Sequence, residues 1–202
     1  MSPRVSQGLS AVAVIGTAVI GYWFLVRPGM GGAELVDSVA FAENPVPFIA
    51  YVVSALASLW IGVPAVAAAI ERQTIHQPFV VACLATAWSG VWLSASVGVQ
   101  AEGGITMHYY WWGFALIWSF IVVGIGLAHR RHKPAVVRDW TLHAYGLAVV
   151  PILLVIGLPL WRALPGLDAD GAMVTAGTLP FAAVFLVVHW VIFERLDRRK
   201  QG

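Results

Sequence analysis

The chain has 202 residues, of which 59% are hydrophobic and only 11% charged, and its mean hydropathy is +0.80. One soluble core of this size cannot hide that much apolar surface, so the composition excludes an ordinary soluble domain and points to a membrane protein. A formal net charge of +2 is not the strongly basic footprint of a nucleic-acid binder, and the expected partner is the lipid bilayer.

Hydrocarbon about 30 Å thick needs roughly 20 apolar residues per helix, and six stretches meet that length, at about 9–27, 47–70, 78–98, 107–128, 140–161 and 172–193. The first follows MSPRVSQ and reads as a retained helix, because its apolar run is long and no convincing small-x-small cleavage site follows. None shows the alternation of outer-membrane strands, and backbone groups that must be satisfied in lipid then leave only helix. The expected fold is all-α, a polytopic transmembrane bundle of six helices forming one integral domain over 1–202. The longest link, 28–46, contains GMGG and ENPVP and reads as an ordered turn or a flexible cap.

The second stretch repeats small residues at Ser54, Ser58 and Gly62, and the third at Gly90, Ser94 and Gly98. Such spacing lets helices approach closely. Cys83, the single cysteine, can form neither an intrachain disulfide nor, alone, a thiolate metal site. Trp60, Trp88, Trp92 and Trp118 fall deep within the second to fourth stretches, and Trp88 and Trp92 share a helical face. A buried indole N–H needs an acceptor, and Ser58, Ser89 and Ser119 each lie within two residues of one of these rings. Two readings stand side by side: an aromatic-walled pocket for a porphyrin, quinone or isoprenoid, with Trp88 and Trp92 as walls, or core packing between helices. Pro64, Pro151, Pro159 and Pro180 lie inside predicted helices, as kinks or as prolines tolerated because neighbours satisfy the freed carbonyls.

Charge orients the bundle. With a cytoplasmic N-terminus, Arg4, Arg72, Arg130, Arg131, Lys133, Arg138, Arg195, Arg198, Arg199 and Lys200 fall inside, leaving Arg27 and Arg162 outside. The positive-inside rule then places both termini in the cytoplasm of a cell with an inner or plasma membrane. Tyr22, Trp23, Tyr109, Tyr110, Trp111, Trp112 and Trp161 read as an outer aromatic belt, with Trp140 and Trp190 as the inner one. Residues from His129 to Arg138 read as a basic cytoplasmic connector, and Asp139 and Trp140 as the start of the fifth helix. That connector and the tail RLDRRK also suit anionic lipid, although topology already accounts for their charge.

An ionisable residue inside a membrane is the first place to look for function. No Asp, Glu, Lys or Arg lies in the middle of a predicted helix, which argues against a carboxylate proton relay, an arginine voltage sensor and a retinal lysine. Histidines remain. His143 stands about one turn inside the fifth helix and His189 about one turn from the cytoplasmic end of the sixth. Consecutive antiparallel helices usually pack together, so two neutral imidazoles at one depth could ligate haem b iron or a metal. Each could equally bond a carbonyl, water or lipid near the headgroups. His76, at the inner start of the third helix, is a third candidate. Asp139 could orient the His143 ring or cap the helix. His129 and His132 sit among like charges and are discounted as ligands, and His108 reads as interfacial. No H-E-x-x-H, G-x-S-x-G, Walker A or C-x-x-C pattern occurs.

WWGFALIWSF, a basic loop and VRDWTLHAYGL follow one another over residues 111–147. This run resembles a family of bacterial multi-pass membrane proteins of unknown function, which show a glycine-phenylalanine helix with a Trp, a basic loop, and a His-x-x-Trp-Met-x-Arg-x-Tyr opening to the next helix. Gly113, Phe114, Trp118, Trp140 and Tyr145 match, while Val137, Thr141 and His143 replace the pattern's histidine, methionine and arginine. The resemblance implies a compact helical membrane bundle and no particular activity. The functional expectation is a binding or redox module holding haem b or another hydrophobic cofactor near His143 and His189. Its alternative is an accessory or structural subunit of a membrane complex, or a small transporter.

Overall fold

The computed structural model describes residues 3–22, 45–71, 74–97, 104–162, 166 and 169–192. Regular structure among them is helical throughout: α1 (Pro3–Gly21), α2 (Pro45–Glu71), α3 (Gln77–Val97), α4 (Gly104–Arg130), α5 (Pro134–Arg162) and α6 (Ala169–Trp190). Pro45–Glu71, Gln77–Ser96 and Tyr109–Arg130 are long and apolar enough to cross a membrane. The helices run unbroken through Pro64, Pro151, Pro159 and Pro180. Residues 28–44 of the long link, Trp23, Arg72, Gly98 and the tail RLDRRK lie outside the described residues.

The helices α2, α3, α4 and α5 close a ring, each packed on the next and α5 back on α2. Against this ring α1 lies along α2 and α5, while α6 packs along α5 and touches α4. Apolar helices that stand in lipid would gain little from hiding apolar surface, since tails are as apolar as leucine, and close packing and hydrogen bonds would then hold them. Both occur at the α2–α3 seam. Ser54 Oγ and Ser89 Oγ share a hydrogen bond at 3.0 Å, and Thr86 Oγ1 donates to Ser58 Oγ at 3.4 Å. Bonds of this kind average about 0.6 kcal/mol each. The small-residue series on α2 thus meets Thr86 and Ser89, whereas Gly90 of α3 turns to α4, where an added Cβ would lie 2.7 Å from the Trp111 ring.

The α4–α5 connection is tighter than the sequence suggests. His132 has φ +50°, and Lys133 N donates to the Ala128 carbonyl (2.9 Å) while His132 N donates to that of His129 (3.0 Å). These bonds satisfy the carbonyls left free at the end of α4, with histidine in the left-handed position usually held by glycine. Pro134 then opens α5, where its missing N–H costs nothing and its φ is already helical. The connector therefore contracts to Arg131–Lys133. His129 and Arg130 belong to α4, Pro134–Arg138 to α5, and Asp139 is neither the start nor the cap of a helix.

Candidate functional site

Two contacts fix which helix ends lie together. The Tyr145 hydroxyl donates to the Leu9 carbonyl at 3.3 Å, and Gly62, Phe79 and Tyr145 meet at one point. The start of α1, the end of α2, and the starts of α3 and α5 therefore share one end of the bundle. The short turn adds the end of α4, and a 5.0 Å ring contact between His143 and Phe185 adds the end of α6. Arg130, Arg131, Lys133 and Arg138 gather at this end. Arg138 is buried, on one stripe with Thr141, Tyr145 and Ala148, and its Nε and a terminal nitrogen both reach Asp139 Oδ1, at 2.7 and 2.6 Å. A predicted helix that begins at Asp139 leaves this ion pair of a buried arginine and a half-buried carboxylate out of sight, and the same stripe extended one turn upstream reaches it.

His143 Nδ1 lies 2.7 Å from the Asp139 carbonyl oxygen. A carbonyl cannot donate, so Nδ1 carries the proton and the Nε2 lone pair is free to accept or ligate. Of the two roles expected for Asp139, neither applies: its backbone, not its carboxylate, orients the imidazole. The ring is half-buried between Trp140 (centroids 6.4 Å) and Phe185, which stacks on Phe181 at 4.9 Å. His189 lies one turn beyond Phe185 and is exposed. A four-residue offset is about 6 Å along a helix, so His143 stands level with Phe185 and His189 lies closer to the helix end. His76 precedes α3, and its Nδ1 is buried without a hydrogen-bond partner. Among the described residues no three His, Cys, Asp or Glu side chains converge as a metal site.

Trp88 and Trp92 face outward, 46% and 50% exposed, with Trp88 edge-on to Trp112 of α4 at 6.2 Å. Any ligand they wall would lie on the outer surface of the bundle. Ser58 and Ser89 donate to the Ala55 and Thr86 carbonyls instead, Ser119 Oγ is buried without a hydrogen-bond partner, and Trp60 Nε1 donates to Thr17 Oγ1 of α1 at 2.9 Å. Adjacent residues on α4 also separate: Trp112 stays outward, but Trp111 turns inward against Tyr51 (4.9 Å) and leaves the expected aromatic belt. Successive residues on a helix point about 100° apart, and WW alone does not say which ring is inside. The chain matches no known family model, curated protein or solved structure.

Proposed function

We propose that the protein is a multi-pass integral membrane protein of the inner or plasma membrane, with six crossings, both termini cytoplasmic, and an accessory or structural role among other membrane subunits. The observation that carries this reading is an apolar exterior: Val53, Val81, Leu116, Phe120, Val123 and Leu186 are each more than half exposed. In water such a surface would drive association, and in lipid it is at rest. The gathering of basic side chains at one end supports the orientation. A fluorescent-protein fusion after Gly202 should fluoresce and an alkaline phosphatase fusion there should stay inactive, and the reverse pattern would overturn the topology.

A second reading, a haem b or hydrophobic-cofactor module, draws on His143. Its Nδ1–H···O=C bond is the orienting bond that ligand histidines commonly have. His143 thus has the tautomer an axial ligand needs, and His189, exposed and about one turn nearer the end of α6, would have to reach back to pair with it. The detergent-purified protein should then show a Soret band that His143→Ala or His189→Ala removes. A colourless preparation would sink this reading and leave the first one standing.

A further inference from the structure

At the basic end of the bundle a half-open groove of about 430 Å³ runs between α3 and α4. Its walls are apolar, Val80 and Val81 on one side and Val122, Ile125 and Gly126 on the other, while Thr74, Gln77 and His129 supply polar atoms at its mouth. Arg130 stands one turn beyond Gly126 on the same face of α4. Arg130, Arg131 and Lys133 are all exposed there, and no carboxylate among the described residues pairs with them.

We propose that this groove binds an anionic phospholipid, with part of one acyl chain between α3 and α4 and the phosphate held by His129, Gln77, Thr74 and the Arg130–Lys133 turn. The proposal rests on the membrane reading above. Charge complementarity selects the headgroup, since each exposed cation near an anionic surface adds about fivefold in affinity. Size selects the chain: a helix about 10 Å across would fill this volume within one turn, whereas an acyl chain fits along its length. Gly126 lines the groove with open space before it, because a Cβ built there meets no atom within 4 Å. A side chain at 126 would therefore occupy the groove without disturbing the protein around it.

The full chain, reconstituted in liposomes of equal phosphatidylglycerol and phosphatidylcholine, would be extracted gently and its retained lipid counted by native mass spectrometry. Wild type should retain phosphatidylglycerol at least fivefold over phosphatidylcholine. Arg130→Gln/Arg131→Gln should lower that preference to near parity, and Gly126→Leu should abolish retention without lowering thermal stability. Equal retention of both lipids by wild type overturns the proposal. So does a Gly126→Leu variant that still selects phosphatidylglycerol, since loop charge alone would then explain the preference, and so does a groove closed by a second copy in a dimer. Protein that fails to co-float with the liposomes overturns the membrane reading itself, an outcome distinct from insertion without selectivity.

Discussion

Replacing Trp118 by alanine is expected to destabilise the bundle by about 3–5 kcal/mol, and replacing it by phenylalanine to cost no more than about 1 kcal/mol. Trp118 is fully buried and packs edge-on against Phe114 at 5.1 Å. Alanine would leave a void that Phe114 and its neighbours cannot collapse into, because the surrounding core from α2, α3 and α5 is itself close-packed. Phenylalanine loses less volume and also removes a burden. The indole N–H has no hydrogen-bond partner; the Cys83 thiol stands beside it, but sulfur is a weak acceptor. An unsatisfied buried donor costs about 1–3 kcal/mol, which offsets most of the lost packing. Denaturation of the two variants in mixed SDS–detergent micelles would test this. If phenylalanine proves as damaging as alanine, the indole proton has an acceptor in solution and the offset fails.

Much of the architecture was legible because apolar length is a one-dimensional signal. Each of the six expected stretches overlaps one observed helix, from α1 to α6. Ends were less legible, since they depend on local bonds: the left-handed His132 and the proline that follows shift the start of α5 from Asp139 to Pro134. That shift alone moved Arg138 from a loop into the packed interior. Which way an aromatic residue points is harder still, because these helices are apolar on nearly every face and lack the polar stripe that reveals the inside of a soluble helix. Trp118 and Trp88 are alike in sequence context, yet one is fully buried and the other half exposed. At the candidate site, the spacing of Asp139 and His143 correctly placed them one turn apart. Only coordinates distinguish a carboxylate partner from a carbonyl one, and here the carboxylate belongs to Arg138.

Valine at Gly62 should be among the most disruptive substitutions at the described glycines, costing about 1–3 kcal/mol or more. Gly62 sits where α2, α3 and α5 meet: an added Cβ would enter the Tyr145 ring and approach Phe79 Cε2 at 3.1 Å. Tyr145 cannot swing away freely. Its ring faces Phe79 across 6.4 Å, and its hydroxyl holds the Leu9 carbonyl of α1, so displacing it loosens four helices at once. Alanine at 62 gains about 1 kcal/mol of helix propensity over glycine, yet the collision should still make it destabilising. Gly113→Ala provides the opposite sign, because a Cβ there meets nothing within 4 Å and only the propensity gain remains. The contact itself can be isolated by combining Gly62→Val with Tyr145→Ala. Once the ring is gone, valine has room, so the double variant should be more stable than the two single losses predict, by about 0.5–3 kcal/mol. Strict additivity in that cycle would mean that Gly62 and Tyr145 do not touch, and that α2 and α5 pack in a different register.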